Sequence, residues 1–233
     1  MRNRLSVLLA LVVSALVAAA VATADTTGGA HKAGAARTSQ AAQRHYTAAD
    51  QTLARSVVLK ATDLGSASAW RGGVTAADTT QPRSCSNFHP RQSDLVITGD
   101  AQSDYAPATG GTGYHSEAQV MRNAHMVRLD WQRNVLDPAA LSCLRTFFVK
   151  NLAGGEQLDS LTPLAVPHIA TYTAGYRALV DQAGVRQMID VIFVGRNRTE
   201  ITLEISAPYS ARAKVEQSEL HLAKLLVARA PAR

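Results

Sequence analysis

The sequence predicts an α+β fold: an antiparallel β-sheet of about five strands with helices packed on one face, closed by one disulfide. Three observations carry that expectation. The stretch Val185–Ala207 reads as two adjacent strands, the first apolar on both faces and the second alternating cleanly. Segments of helical period lie at the start, middle and end of the remaining chain. Cys85 and Cys143 are the only cysteines, and they follow an N-terminus built for export.

That N-terminus comes first in the chain. Arg2 and Arg4 precede an apolar run from Leu5 to Ala20, and Ala22-Thr23-Ala24 offers a small-residue cleavage pattern before Asp25. Residues 1–24 are therefore expected to be a signal peptide and the product secreted or extracytoplasmic; an uncleaved signal would leave an N-terminal membrane anchor. Residues 25–45, rich in Ala, Gly and Thr, read as a flexible tether. Residues 46–233 then form a single domain with ample length for a core and no further apolar stretch able to span a membrane.

Within the domain, Thr47 and Asp50 mark a helix start, and Leu53, Val57, Ala61 and Leu64 repeat at helical spacing until Gly65 ends it. Residues 66–90 carry little periodicity, with Trp70, Val74, Cys85 and Phe88 as expected anchors. Asp94–Tyr105 alternates Leu95, Ile97 and Ala101 against Asp100, Gln102 and Asp104. A Gly-rich reversal follows, and Tyr114–Met121 returns with Ala118 and Val120 inward. Ala124, Val127, Trp131 and Val135 line a helical face. Asp137-Pro138 starts another helix, with Leu141, Leu144, Phe148 and Leu152 as its buried stripe and Gly154-Gly155 as its stop. Residues 161–167, with Pro163 and Pro167, suggest an edge or connector, and His168–Val180 alternates as a strand. Gly195 and Asn197 supply the turn of the core hairpin. After Pro208, Ser210 caps a last helix with Val215, Ser218, Leu222, Leu225 and Leu226 buried.

The chemistry-bearing residues exclude more than they assign. The net charge of +6 is spread along the chain and interleaved with few aromatics, which argues against a nucleic-acid surface. There is no Gly-x-Ser-x-Gly elbow, P-loop or dinucleotide fingerprint, and no histidine pair at i, i+4. Asp94, Asp100 and Asp104 lack the spacing of a calcium loop and read as solvated strand carboxylates. Neither cofactor nor metal is expected, and no catalytic residue is assigned. His115, Glu117 and Gln119 share one face of a strand, where a His beside a carboxylate can act as an acid–base pair; the plainer reading is the wet side of the sheet. Arg196 and Arg198, joined by Arg186, form a second cluster able to take an anion or simply to solvate a turn. Cys85 and Cys143 read as one structural disulfide, since an exported pair without Cys-x-x-Cys spacing allows one connectivity.

The segments LKATDLG (59–65), VMRNAHMVRLDW (120–131) and SCLRTFF (142–148), in that order around two strands, resemble the extracellular sensor domains of PknH-type actinobacterial serine/threonine kinases and their stand-alone secreted relatives. The resemblance implies an antiparallel sheet with helices and a cleft for a ligand. It departs from the family pattern in having one disulfide rather than two, in the distance of Trp131 from Cys143, and in lacking a kinase domain. No ligand motif is matched, so no ligand-binding residue is carried over. The expected function is a secreted, non-catalytic, sensor-like or ligand-binding domain of the cell envelope, with a small envelope ligand or an envelope protein as partner. An envelope interaction or scaffold protein is the alternative, followed by a hydrolase built on His115 and Glu117.

Overall fold

The computed structural model describes residues 41–77, 85, 88–108, 110–152 and 155–232. The expected signal peptide, most of the tether and the Gly154 helix stop lie outside the described residues. What is described is α+β: four α-helices and one mostly antiparallel sheet of eight strands, not about five. The strands are β1 (Gln43–Arg44), β2 (Trp70–Ala76), β3 (Val96–Pro107), β4 (Gly113–Met121), β5 (Glu156–Pro163), β6 (Tyr172–Gln182), β7 (Val185–Arg196) and β8 (Thr199–Pro208). Their order across the sheet is β1-β3-β4-β8-β7-β6-β5, with β2 also paired to β3. Only the short β1–β3 contact is parallel.

The three additional strands are those whose sequence hides them. β1 is two residues at the end of the expected tether. β2 contains Gly72-Gly73 and leaves most of its side chains exposed, Val74 among them, so it shows no alternation. β5 is an edge strand with only Leu161 buried. The core hairpin is as expected, except that Asn197 rather than Gly195 takes the left-handed conformation, at φ 51°. Gly195 is required by close approach instead: a Cβ there would lie 2.9 Å from the Tyr172 ring and 3.1 Å from Val127.

Helices α1 (Ala48–Val57), α2 (Ala124–Asn134), α3 (Pro138–Asn151) and α4 (Arg212–Arg229) cover both faces of the sheet, correcting the expectation of one. Met188, Ile192 and Val194 of β7 pack with α1 and α4, whereas Ile189 and Val191, on the opposite face, pack with Leu144 and Phe148 of α3. Val127 of α2 joins Ile97 and Met121 on that second side. A strand apolar on both faces needs cover on both.

Caps at Thr47 and Asp137 hold as read, each accepting a backbone N–H of the first turn, and Asn123, not read as a cap, accepts from Met126 N–H in the same way. Two helix ends differ. α1 stops at Val57, and the chain runs extended through buried Val58 and Leu59, where Leu59 N–H donates to Ser116 Oγ at 2.8 Å, before a short 3-10 turn ends at Gly65. Ser210 makes no cap; a 3-10 turn over Tyr209–Ala211 leads into α4, whose buried stripe takes in Glu219, Ala223 and Val227. Cys85 and Cys143 are bonded to each other, pinning Cys85 to α3. Among the described residues no helix is long and apolar enough to cross a membrane.

Candidate functional site

The strand register gathers the polar residues of the second face into a layer. Asp104, His115 and Glu204 lie side by side on β3, β4 and β8, as do Asp100, Gln119 and Glu200, with Glu117 between the rows. This side is not wet. Asp100, His115, Glu117, Gln119 and Glu204 are all buried, which corrects the reading of solvated strand carboxylates and of a solvated outer face on β4 and β8. Of the three aspartates grouped in the sequence, Asp94 instead pairs with Arg133, and Asp104 is partly exposed.

Charge in this layer follows from burial. Burial pushes the Asp100 carboxyl up to about 8, reinforced by Glu117 and opposed by Arg44, whose Nη1 is 3.8 Å away. Burial likewise lifts Glu204 to about 7 and Asp130 of α2 to about 6. Glu200 is raised well above the ordinary range by burial and by Asp130, with which it shares a hydrogen bond. Burial works against the charged imidazole of His115, but its 2.7 Å contact with Asp104 Oδ1 and the charges of Glu204 and Glu117 prevail and raise it. Gln119 donates to Glu117 at 2.9 Å. The layer therefore favours the neutral form of its acids and the charged form of the His115 imidazole. Among the described residues no three His, Cys, Asp or Glu side chains form a group able to hold a metal ion.

The second sequence cluster is dispersed. Arg198 grips the Asp50 carboxylate with both terminal nitrogens and ties the core hairpin turn to the start of α1. Arg196 donates to the Val227 carbonyl at 2.7 Å near the end of α4. Arg186 pairs with Asp159 at 3.3 Å and lies over the Tyr209 ring. These guanidinium groups join elements of the fold rather than converge on an anion.

The larger concavities lie on the opposite, α4-bearing face. After β5 the chain continues as a strap over residues 164–171. Leu164 N–H donates to the Gly175 carbonyl at 2.8 Å, and a Cβ on Gly175 would come within 2.6 Å of Val166, so the strap sits directly on the strand backbone. Between the strap, the sheet and α4 lies a cavity of about 650 Å³. Leu164, Val166, Leu179, Ile192 and Leu220 supply its apolar wall. Its polar wall is a charged network: Arg177 of β6 donates through Nε and Nη2 to both Asp190 oxygens at 2.6 Å, and through Nη1 to Glu216 at 2.7 Å. Arg212 donates to the same Glu216 and to the Tyr209 hydroxyl. Glu219 lines the cavity, is 8% exposed, and its Oε2 accepts no hydrogen bond among the described residues.

Two other hollows differ in kind. A slot of about 70 Å³ between α2, α3 and the sheet is walled by Trp131, Leu144 and Phe193 and reaches Asp130 and Glu200. That volume suits a few waters rather than a ligand. A cleft of about 510 Å³ near the β3–β4 turn is floored by Trp70 and Tyr114; there Tyr114 is hydrogen-bonded to Ser218. Of these three hollows, among the described residues, the strap cavity combines ligand size with a buried, uncommitted polar atom.

None of Arg177, Asp190, Glu216 or Glu219 was singled out from the sequence. A signal was present: Arg177 and Asp190 are lone charges inside two apolar strands, and β6–β7 pairing sets them directly opposite. Glu219 sits at helical spacing between Val215 and Leu222, where an apolar residue is expected. No family model and no curated protein matches the chain.

Proposed function

We propose that the protein is an exported, non-catalytic, sensor-like domain that binds a small envelope ligand in the strap cavity. The observation that carries this reading is the cavity itself, ligand-sized, with an apolar wall facing a few convergent polar groups. The Cys85–Cys143 bond supports export, because such bonds persist in oxidising compartments. The organisation-level likeness to PknH-type sensor domains points the same way. The hydrolase reading has less support: His115 is 2% exposed, so a substrate has little access to its ring.

The test is native mass spectrometry and thermal shift on secreted protein, challenged with fractionated envelope lipids, glycans and small anions. The expected result is a ligand that raises Tm and no longer does so in Leu220→Trp, where the indole fills the cavity. Flat melting curves with every fraction, or an equal response in that variant, would refute the proposal.

A further inference from the structure

We infer that the strap cavity takes an amphipathic monocation, a protonated primary amine on an aliphatic or aromatic body, with the Glu219 carboxylate as its counter-ion. This rests on the cavity being the ligand site and adds the charge of the ligand to that reading.

The argument is an accounting of donors and acceptors. Three of the nitrogens of Arg177 are engaged, two with Asp190 and one with Glu216. Arg212 has Nε on Glu216 and Nη1 on Tyr209, and its side chain is 48% exposed, so its one remaining nitrogen belongs to a well-hydrated group. Among the described residues the buried part of the wall therefore offers no uncommitted cationic nitrogen to an anionic ligand. It offers the reverse, a buried carboxyl oxygen that no donor reaches. The groups facing Glu219 are Asp190 from β7, Arg177 from β6, and Glu216 with Arg212 from α4; the strap adds no titratable side chain between Thr162 and Pro167.

With Glu219 protonated, the charges of this set balance: Arg177 and Arg212 against Asp190 and Glu216. Ionised Glu219 adds a negative charge that the set does not offset, in a low-dielectric wall where an unpaired charge is costly. A bound ammonium supplies the missing charge and the missing donors at once. Its apolar body meets Leu164, Val166, Leu179, Ile192 and Leu220. An alcohol would satisfy the hydrogen bond but leave the proton in place; a carboxylate would face Asp190 and Glu216.

A proton is exchanged in the process. Burial, then the hydrogen bond and charge of Asp190, lift Glu219 to about 8, with Arg177 opposing and Glu216 adding to the rise. An aliphatic amine stays protonated throughout the neutral range. Binding the cation converts Glu219 to its carboxylate and releases its proton to solvent. The apparent affinity therefore rises with pH, by about 50-fold from pH 6 to pH 8, and flattens above that.

The experiment uses hexylamine and benzylamine as probes, hexanol and hexanoate as controls, and the secreted protein with its disulfide intact. Calorimetry at pH 7 in phosphate and in Tris is expected to show release of close to one proton per amine bound, with the stated pH dependence. Glu219→Gln, which keeps the shape and removes the charge, is expected to weaken the amines at least tenfold, abolish proton release and leave hexanol unchanged. Leu220→Trp removes every response. Amines that bind Glu219→Gln undiminished, or without proton release, overturn the inference. A response to hexanol or hexanoate stronger than to the amines, blocked by Leu220→Trp, also overturns it while leaving the cavity as the ligand site. No response to any probe, with Leu220→Trp also leaving the response to envelope fractions intact, removes both.

Discussion

Asp100 carries the sharpest prediction about stability. Its carboxyl is 3% exposed, both oxygens are without a hydrogen bond among the described residues, and Arg44 stands 3.8 Å away. Burial first, and Glu117 second, raise it from the ordinary value of 3.8 to about 8. The sign follows from linkage. Below about pH 4 the acid is protonated in both folded and unfolded chains, and its folded-state advantage is complete. From there to about pH 8 the unfolded chain ionises while the folded one does not, so stability falls by about 1.4 kcal/mol per pH unit and then levels. At pH 7 the accumulated loss has a ceiling of about 4 kcal/mol by that slope. Asp100→Asn imitates the neutral acid at every pH, so it is expected to regain about 2–4 kcal/mol at pH 7.5 relative to its effect at pH 4.5. Urea unfolding of both proteins from pH 4.5 to 8.5 measures the difference, and any constant offset from the amide cancels. Glu204, Asp130 and Glu219 slope in the same direction, so the variant flattens the curve without levelling it. Parallel curves for the two proteins would show that Asp100 is ionised in the fold and that the polar layer is wet.

Replacing both Cys85 and Cys143 with serine is expected to cost about 4 kcal/mol, the chain-entropy value for cysteines 58 residues apart, read from guanidinium melts; a loss below about 1 kcal/mol would mean the reduced chain is already confined there. Arg198→Ala strips the Asp50 carboxylate of its bidentate partner and is expected to cost about 1–3 kcal/mol at pH 7. Arg198→Lys recovers only part of this. Because the Arg198 hydrogen bonds hold Asp50 below the usual carboxylate range, the penalty shrinks as pH falls from the ordinary carboxylate value through that lowered one; a loss that does not shrink at all on acidification would assign it to packing. Ala183→Gly, at φ 51° in the β6–β7 turn, is expected to raise Tm slightly, by up to about 1 kcal/mol of relieved strain; a lower Tm would contradict that backbone.

Legibility in the sequence tracked side-chain periodicity. The β7–β8 hairpin, α2 and α3 were readable because their buried residues repeat at two or near three and a half. Thr47 and Asp137 were readable as caps because short polar side chains before an apolar run have few other uses. β2 was not, since pairing with β3 engages its backbone while its side chains face outward. The two-sided cover could have been inferred: β7 was read as apolar on both faces, and a single layer of helices would leave one of them exposed. The polar layer escaped for a different reason. Alternation of Glu200, Thr202 and Glu204 with isoleucines and leucines reads as an outer face, and nothing local distinguishes a solvated glutamate from one covered by another part of the chain. The strap cavity depends on contacts between β6, β7 and α4 that no single window contains.

The two faces of the sheet solve the problem of buried acid in opposite ways, and the contrast bears on where a ligand can act. On the α2–α3 face burial pushes the acids toward their neutral forms, and Glu200 and Asp130 share a hydrogen bond. Introducing a cation there would require a carboxyl to ionise within a slot of about 70 Å³. On the α4 face Asp190 and Glu216 are held by guanidinium groups, and the remaining acid, Glu219, lies against about 650 Å³ of open space with an apolar wall. Space, an uncommitted acceptor and a network already organised around charge coincide there. A ligand bound there, as proposed, would have a route outward as well. Arg177 links the cavity floor on β6 to Glu216 on α4, so a change of charge at Glu219 alters the electrostatics between the sheet and its C-terminal helix. Removing that link with Arg177→Met should therefore reduce the ligand-dependent amide protection of α4 around Glu216 while that of α3 is unchanged. Undiminished protection around Glu216 would show that direct contact of the ligand with Glu219 and Leu220, not the ion network, carries binding to α4.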